Sequence, residues 1–146
     1  MEWCIDANVV VKAVINEELS ENATFLMLDA LSTGISLIAP HFFDAEANGA
    51  IRKKVYSGEI AEKLGDTAFE KLKRFPVHML LTHHLLDRSW EIAKQFNLRW
   101  LYDAFYVALA EERSCLLWTA DMELYKAVKD KLTFVKSLGN YISPQP

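Results

Sequence analysis

Short apolar segments alternate with longer amphipathic segments along the chain, and this alternation limits the possible folds more than any other feature. The short segments have the length and composition of buried strands, and the longer ones repeat apolar residues at helical spacing. The predicted strands are 2–6, 35–39, 77–81, 115–119 and 133–135, and the predicted helices are 8–15, 20–34, 41–56, 59–74, 83–96, 102–113 and 122–129. Such a chain favours an α/β fold of three layers, α/β/α, around a central, mostly parallel sheet.

The same spacing predicts which helix residues face the core. The inward residues are predicted to be Ala23, Leu26, Ala30 and Leu31 in the second helix, Ile60, Leu64, Ala68, Leu72 and Phe75 in the fourth, and Leu86, Trp90, Ala93 and Phe96 in the fifth. Ser20 and Thr82 are predicted to cap the second and fifth helices because their hydroxyls suit that position.

Composition indicates a globular protein with one domain over residues 1–146. Hydrophobic residues make up 51% of the chain, which is enough for a substantial core. We expect a cytoplasmic protein without a membrane span, because no apolar segment approaches the roughly 20 residues that a bilayer requires. Cys4 and Cys115 lie in strand-like segments and are expected to be buried free thiols. A net charge of −4 argues against nucleic-acid binding by overall charge, although it permits a local basic strip.

Four carboxylates stand in unusually apolar settings, at Asp6, Glu46, Asp103 and Asp121. Asp6 is the only charged residue between Glu2 and Lys12, and Asp103 is the only one from Trp100 through Ala110. Each acid has a simpler explanation, as a turn residue, a helix cap or a first-turn acid. All four nevertheless map to the carboxyl edge of a parallel sheet, where functional groups gather in such folds. Four neighbouring carboxylates repel one another, and oxygen ligands without His or Cys suit Mg²⁺ or Mn²⁺.

The chain resembles the PIN domain family, and within it the toxin ribonucleases called VapC. The matching segments are Ile5-Asp6-Ala7-Asn8-Val9, Pro40 with Glu46-Ala47-Asn48-Gly49-Ala50, Tyr102-Asp103-Ala104 with Ala108-Leu109-Ala110, and Trp118-Thr119-Ala120-Asp121 with Leu124. Their order and spacing cover roughly residues 3–136. Each segment alone is a weak signal, but four in order, each with its acid, are fairly specific.

The resemblance implies a Rossmann-like fold, Mg²⁺- or Mn²⁺-dependent endonucleolytic hydrolysis of RNA and frequent homodimers. It also implies Asp6, Glu46, Asp103 and Asp121 as the catalytic and metal-binding residues, with Asp6 and Asp103 our first choice as direct ligands. Thr119 matches a hydroxyl that often precedes the last acid. The family often has Ser or Thr where this chain has Asn8, whose amide can still bond a carboxylate or a water, so Asn8 and Thr119 are predicted supporting residues.

An acidic site that binds RNA needs basic groups beside it. The candidates are Lys12, Arg52, Lys53, Lys54, Arg88 and Arg99, of which the cluster Arg52, Lys53 and Lys54 is preferred. Phe43, Trp100 and Tyr102 can stack on bases, although core or interface positions explain them equally simply. His41 follows the second strand closely enough to reach the site.

The resemblance further implies a small antitoxin partner bound in an apolar groove. The helices between residues 8 and 32 and the helix 41–56 are the predicted walls of that groove.

Three alternative functions remain open at this stage. A haloacid dehalogenase-type phosphohydrolase needs a second Asp at the position of Asn8. A receiver-type signalling domain is suggested faintly by Lys136, but it needs an Asp at the end of a middle strand. An RNA- or partner-binding module that only keeps the fold would be favoured by loss of an acid, and no acid of the four is lost.

Overall fold

The computed structural model describes residues 1–144, and over this range the chain forms five strands, seven α-helices and a short 3-10 helix at Leu138–Asn140. The strands are β1 (Glu2–Ile5), β2 (Ser36–Pro40), β3 (Val77–Leu80), β4 (Leu116–Thr119) and β5 (Val135–Ser137). The helices are α1 (Ala7–Val14), α2 (Ser20–Thr33), α3 (Phe43–Tyr56), α4 (Glu62–Leu72), α5 (Leu85–Gln95), α6 (Leu101–Glu112) and α7 (Met122–Val128). Residues 145–146, the end of the predicted domain, lie outside the described residues.

The five strands form one parallel sheet in the order β3-β2-β1-β4-β5. Ile5 of β1 pairs with Trp118 of β4, so these two strands end side by side. The predicted α/β fold with a parallel central sheet is therefore confirmed, and every strand pair in residues 1–144 is parallel.

The chain builds the sheet outward from β1 in both directions, and this sets the layers. Helices α1 to α4 pack on one another, while α5 packs on α6. Since parallel crossovers are right-handed, the connections toward β3 and those toward β5 lie on opposite faces of the sheet. The direction reverses between β1 and β4, and their carboxyl ends frame the crevice where such folds usually bind ligands.

The core lies on both faces of the central strands. Ile5, Leu37, Ile38, Ala39 and Leu117 are each at most 2% exposed. Burial of each large aliphatic side chain contributes roughly 1.5–3 kcal/mol, which explains why these strands are apolar on both faces rather than alternating.

The predicted inward faces of three helices were partly wrong. Leu31, Leu64, Leu86 and Trp90 are all more than half exposed. In α5 the buried residues are Leu85, Ser89 and Ile92, and the Ser89 hydroxyl donates to the Leu85 carbonyl oxygen at 2.5 Å. A serine whose hydroxyl forms a hydrogen bond within the helix can lie on the buried face. The spacing of hydrophobic residues alone therefore predicted the wrong buried face for α5.

Two predicted caps and the last strand also differ. Residue Leu19 precedes α2 and His84 precedes α5, each without a side-chain cap hydrogen bond to its helix. The Thr82 hydroxyl instead donates to Glu112. Strand β5 is Val135–Ser137 rather than residues 133–135, because the chain after α7 first forms a turn in which the Leu132 N–H donates to the Val128 carbonyl oxygen and the Val135 N–H donates to the Leu132 carbonyl oxygen.

The remaining sequence predictions concern thiols and membrane spans. Cys4 is buried and Cys115 is half-buried, and both are free thiols. Within residues 1–144, no helix combines the length and the apolar character required to cross a bilayer.

Candidate active site

Asp6 occupies the point where β1 ends and α1 begins. Its backbone N–H donates to the Trp118 carbonyl oxygen at 3.0 Å, which extends the β1–β4 pairing by one residue. Its side chain is 2% exposed and accepts hydrogen bonds from the Thr119 hydroxyl at 2.8 Å and the Asn8 N–H at 3.4 Å. Burial raises the pKa of Asp6 to about 6, although these hydrogen bonds oppose the shift.

The segment after β4 is tied to the same carboxylate. Thr119 both donates to Asp6 and accepts the Asp121 N–H at 3.0 Å. The Asn8 side-chain oxygen accepts the Ala120 N–H at 3.0 Å. The two predicted supporting residues therefore lie between the ends of β1 and β4, and both hold backbone or carboxylate groups in place.

Asp121 caps α7. One of its oxygens, Oδ1, accepts the N–H groups of Glu123 and Leu124 at 2.9 and 3.1 Å. The capping explanation considered from the sequence is thus correct for Asp121. Because both bonds fall on Oδ1, capping fixes the carboxylate without engaging Oδ2 in those contacts.

Glu46 projects from the first turn of α3 and contacts α6. The buried Tyr106 hydroxyl donates to Glu46 Oε1 at 3.3 Å. Burial, with the nearby Asp6 charge, raises the pKa of Glu46 to about 7. The other oxygen, Oε2, is buried and has no hydrogen-bond partner among the described residues.

Asp103 lies in the first turn of α6, close enough to the other three acids for their charges to affect its pKa. Burial raises its pKa to about 7, and the charges of Asp6, Asp121 and Glu46 add to the shift. The structure therefore brings the four predicted acids to one edge of the sheet. Glu123, which sequence reasoning missed, contributes further negative charge to Asp103.

The acids fit a hard cation by their chemistry, although their present positions do not form a finished site. Within residues 1–144, no three His, Cys, Asp or Glu side chains stand close enough together to hold a metal ion. The donor set contains only carboxylate oxygens, and Glu46 Oε2 is a buried acceptor with no partner in the described chain. Such oxygens suit Mg²⁺ or Mn²⁺, which also retain water ligands.

Tyr106 is a second residue that sequence reasoning missed. It is fully buried, and burial together with the charges of Asp6 and Glu46 raises its pKa. The hydroxyl therefore remains protonated and can donate to Glu46. Its position three residues after Asp103, on the same face of α6, was the available signal.

A cleft of about 420 Å³ opens beside the acids. Its walls are formed by Phe42, Ala45, Glu46, Trp100, Tyr102 and Asp103. Of the three aromatic residues considered from the sequence, Trp100 and Tyr102 line this cleft, whereas Phe43 is 3% exposed and belongs to the core. His41 is exposed, and its ring packs edge-on against Phe42 at 5.4 Å.

Most of the predicted RNA-binding cations have other partners. Lys12 and Lys54 both form ion pairs with Glu17, and Lys54 also pairs with Glu59. Arg88 is held by Glu111 and Glu91, as two ion pairs show.

The remaining candidates are exposed, but they differ in position. Arg52 lines a groove between α3 and α4, together with Glu62 and Asp66, rather than the acidic cleft. Lys53 is exposed on α3. The Arg99 guanidinium lies 4.9 Å from the centre of the Trp100 ring, at the cleft.

The sequence matches a known family over most of its length. The family model for the PIN domain covers residues 3–130. Ribonuclease VapC1 of Mycobacterium tuberculosis is 32% identical over 131 residues, which cover 86% of this chain and 90% of that protein.

Two solved structures share the fold. The crystal structure of PAE2754 from Pyrobaculum aerophilum has a TM-score of 0.67 at 22% identity and covers 95% of this chain and 92% of the other. The structure of VapBC2 from Rickettsia felis, bound to a DNA fragment from its promoter, has a TM-score of 0.65 at 12% identity, covering 94% and 98% of the two chains. With its sheet order, its acidic crevice and these matches, the chain belongs to the PIN domain family and is similar to its VapC members.

Proposed function

We propose that this protein is a Mg²⁺- or Mn²⁺-dependent endoribonuclease that hydrolyses phosphodiester bonds in RNA, and that it acts as the toxin of a toxin–antitoxin pair. One observation carries the proposal: four carboxylates lie at the carboxyl edge of the sheet, and burial together with the charges of neighbouring acids raises the pKa values of three of them. The name of the relative, a VapC ribonuclease, supports the same activity.

Asp6 and Asp103 would hold the cation as direct ligands, and Asp121 and Glu46 would complete the metal site, Glu46 through a water molecule. A bound divalent cation supplies Lewis acidity and neutralises negative charge on the phosphate. Thr119 and Asn8 keep Asp6 oriented toward the crevice through the hydrogen bonds described above.

Glu46 is the proposed proton acceptor. Burial and the nearby Asp6 charge raise the pKa of Glu46, which makes its carboxylate a stronger base than usual, and Tyr106 holds Oε1 in place. Oε2 would then take the proton from the water that attacks phosphorus, while the bond to the leaving oxygen breaks and that oxygen takes a proton from solvent.

The direct test is cleavage of a mixed panel of structured and unstructured RNAs in Mg²⁺, in Mn²⁺ and in EDTA. We expect cleavage with either cation, none in EDTA, and none with Asp6→Asn or Asp103→Asn. RNA cleavage that persists in both variants would contradict the proposed active site. A folded wild-type protein that binds RNA without cutting any panel member would favour the alternative of a binding module.

Cation binding can be measured without activity. Isothermal titration with Mn²⁺ should give heat with wild-type protein and little or none with Asp103→Asn. Glu2→Gln, at the opposite edge of the sheet, is the matched control and should bind Mn²⁺ like wild type. Equal heats for all three proteins would reject the ligand assignment.

The antitoxin remains part of the proposal, and the exposed face of α2 is a candidate surface for it. Phe25, Leu28 and Leu31 are 44%, 55% and 52% exposed on one helix, which is costly in water unless a partner covers them. Titrating a candidate antitoxin into the cleavage assay should inhibit wild type, and Leu28→Glu should escape inhibition while cutting RNA normally. The proposed homodimer is checked separately by the mass of the protein in solution.

A further inference from the structure

The cleft beside the acids is lined by two chemically different kinds of residue. Glu46 and Asp103 supply carboxylates, and Phe42, Trp100 and Tyr102 supply aromatic rings. Trp100 is 52% exposed and Tyr102 is 56% exposed. Large aromatic side chains facing an open cleft leave apolar area in water, so a flat apolar ligand would gain by covering them.

Packing against neighbouring rings holds the aromatic residues of the cleft in place. Trp100 and Phe42 are the residues that precede α6 and α3, where the backbone enters each helix. Tyr102 packs edge-on against Phe42 at 5.6 Å between ring centres, and Phe42 in turn contacts Tyr106 at 5.8 Å. Since the Tyr106 hydroxyl donates a hydrogen bond to Glu46, one connected set of contacts positions both the aromatic rings and this carboxylate.

A positively charged residue, Arg99, lies beside the aromatic residues of the cleft. The Arg99 guanidinium lies over the Trp100 ring, in a geometry typical of a cation–π pair. Lys12, Lys54 and Arg88 are each paired with carboxylates, whereas Arg99 packs on an aromatic face and belongs to none of the ion pairs within residues 1–144. The positive charge of Arg99 is therefore available near an otherwise negative cleft.

We infer that this cleft binds an unpaired nucleobase of the RNA, which stacks on Trp100 and Tyr102 while Arg99 contacts a neighbouring phosphate. These residues would determine which nucleotide lies beside the acids, and hence where the RNA is cut. The inference rests on the proposed ribonuclease function. A base within a duplex is already stacked on its neighbours, so the cleft selects single-stranded substrate.

Binding of a fluorescent single-stranded RNA in EDTA tests this inference without cleavage. Trp100→Ala should weaken binding roughly 5- to 150-fold, the range for loss of one base–aromatic contact. Trp100→Phe should restore most of the affinity because it keeps an aromatic face. Trp90→Ala is the matched control, since Trp90 is 60% exposed on α5 and outside the cleft, and it should bind like wild type.

Arg99→Ala should separate the phosphate contact from stacking. It should reduce the slope of log K against log salt by about 0.7, as expected for one phosphate contact on a single strand. Trp100→Ala should leave that slope nearly unchanged. Thermal melts of every variant confirm that the fold is intact.

The outcomes distinguish this inference from the proposed function. Trp100-dependent binding by a protein that cuts no RNA would support the nucleobase site and reject the nuclease. Metal-dependent cleavage with the same cut sites, rates and affinities in Trp100→Ala and wild type would overturn the nucleobase site and keep the nuclease. A change in solution mass with unchanged RNA affinity would also overturn it, because the aromatics would then serve a contact between copies of the chain.

Discussion

Carboxylates at the two edges of the sheet have pKa values that are shifted in opposite directions. At the amino edge, Glu2 accepts two hydrogen bonds from the Arg113 guanidinium, at 2.7 and 2.9 Å, and these lower its pKa. At the carboxyl edge, burial and mutual repulsion raise the pKa values of Asp6, Glu46 and Asp103. At the amino edge the Arg113 guanidinium compensates the charge of Glu2, whereas at the carboxyl edge several acids lie together without a compensating positive charge from the described part of the chain.

This difference separates a structural ion pair from a candidate functional cluster. An exposed ion pair contributes little to stability and can be lost cheaply. Buried, uncompensated acids cost stability, and folds retain such groups mainly where a ligand or a reaction uses them. The comparison therefore predicts that substitutions at the carboxyl edge strongly affect RNA cleavage, whereas loss of the acid at the amino edge has little effect on cleavage or stability.

The largest effect is expected when the carboxyl edge loses one charge. Asp103→Asn should reduce RNA cleavage by at least ~10²-fold, because a proposed cation ligand is lost. The free energy of unfolding in EDTA at pH 8 should stay equal or rise by about 1 kcal/mol, since one repelling charge is removed. Parallel cleavage and urea-denaturation measurements check both. A variant that is less stable and fully active would contradict the contrast between the edges.

The pH dependence of stability should show the same contrast. Asp6, Glu46 and Asp103 have folded pKa values of about 6, 7 and 7, above their unfolded values. Their stabilising contribution is thus complete below about pH 4 and is lost as pH rises through 6–7. In EDTA the free energy of unfolding should fall by roughly 2–4 kcal/mol from pH 5 to pH 8, after allowance for solvent screening.

Urea denaturation at several pH values measures this decline. Asp103→Asn should make it shallower, because one of the three titrating acids is gone. Glu2, with its lowered pKa, works in the opposite direction and loses its contribution as the pH falls below about 4.5. A flat or rising profile between pH 5 and pH 8 would count against the raised pKa values.

Removal of the Thr119 hydroxyl should disturb the carboxyl edge without changing its charge. Thr119→Val keeps the shape of the side chain but loses the hydrogen bonds with Asp6 and the Asp121 N–H. We expect a loss of about 1–3 kcal/mol in unfolding free energy at pH 8, and slower cleavage. Thr119→Ser keeps a hydroxyl and should recover most of both. Equal stability of the Val and Ser variants would show that the hydroxyl is not needed.

The smallest effect is expected at the amino edge. Glu2→Gln breaks the pair with Arg113, and Tm should change by no more than about 2 °C because the pair is partly exposed. RNA cleavage should stay at the wild-type rate. Differential scanning calorimetry and the cleavage assay check this. A large loss of activity would mean that the two edges are coupled through the sheet.

The sequence predicted four of the five strands closely, the parallel sheet and the position of the four acids at one edge, because each depends on simple rules. Apolar strands between helices specify a parallel sheet, and Asp6 and Asp121 each follow a strand whose end faces the crevice. The roles of the four acids and the cation remain predictions.

The details that failed depend on three-dimensional context. The inward face of α5 includes Ser89, whose hydroxyl is satisfied within the helix, and this cannot be read from hydrophobicity. The pairing of Lys12, Lys54 and Arg88 with acids depends on contacts between different elements, or between a helix and its flanking loop. Spacing along one helix therefore predicted a basic cluster, Arg52-Lys53-Lys54, whose members lie in different environments.

The position of β1 in the middle of the sheet has a consequence for synthesis on the ribosome. Its neighbour β2 follows within the first 40 residues, but its other neighbour, β4, ends at Thr119. A nascent or truncated chain that stops before β4 leaves one side of β1 unpaired and lacks Asp121. Unfinished polypeptides would therefore be prone to association through the unpaired edge of β1 until β4 has been synthesised.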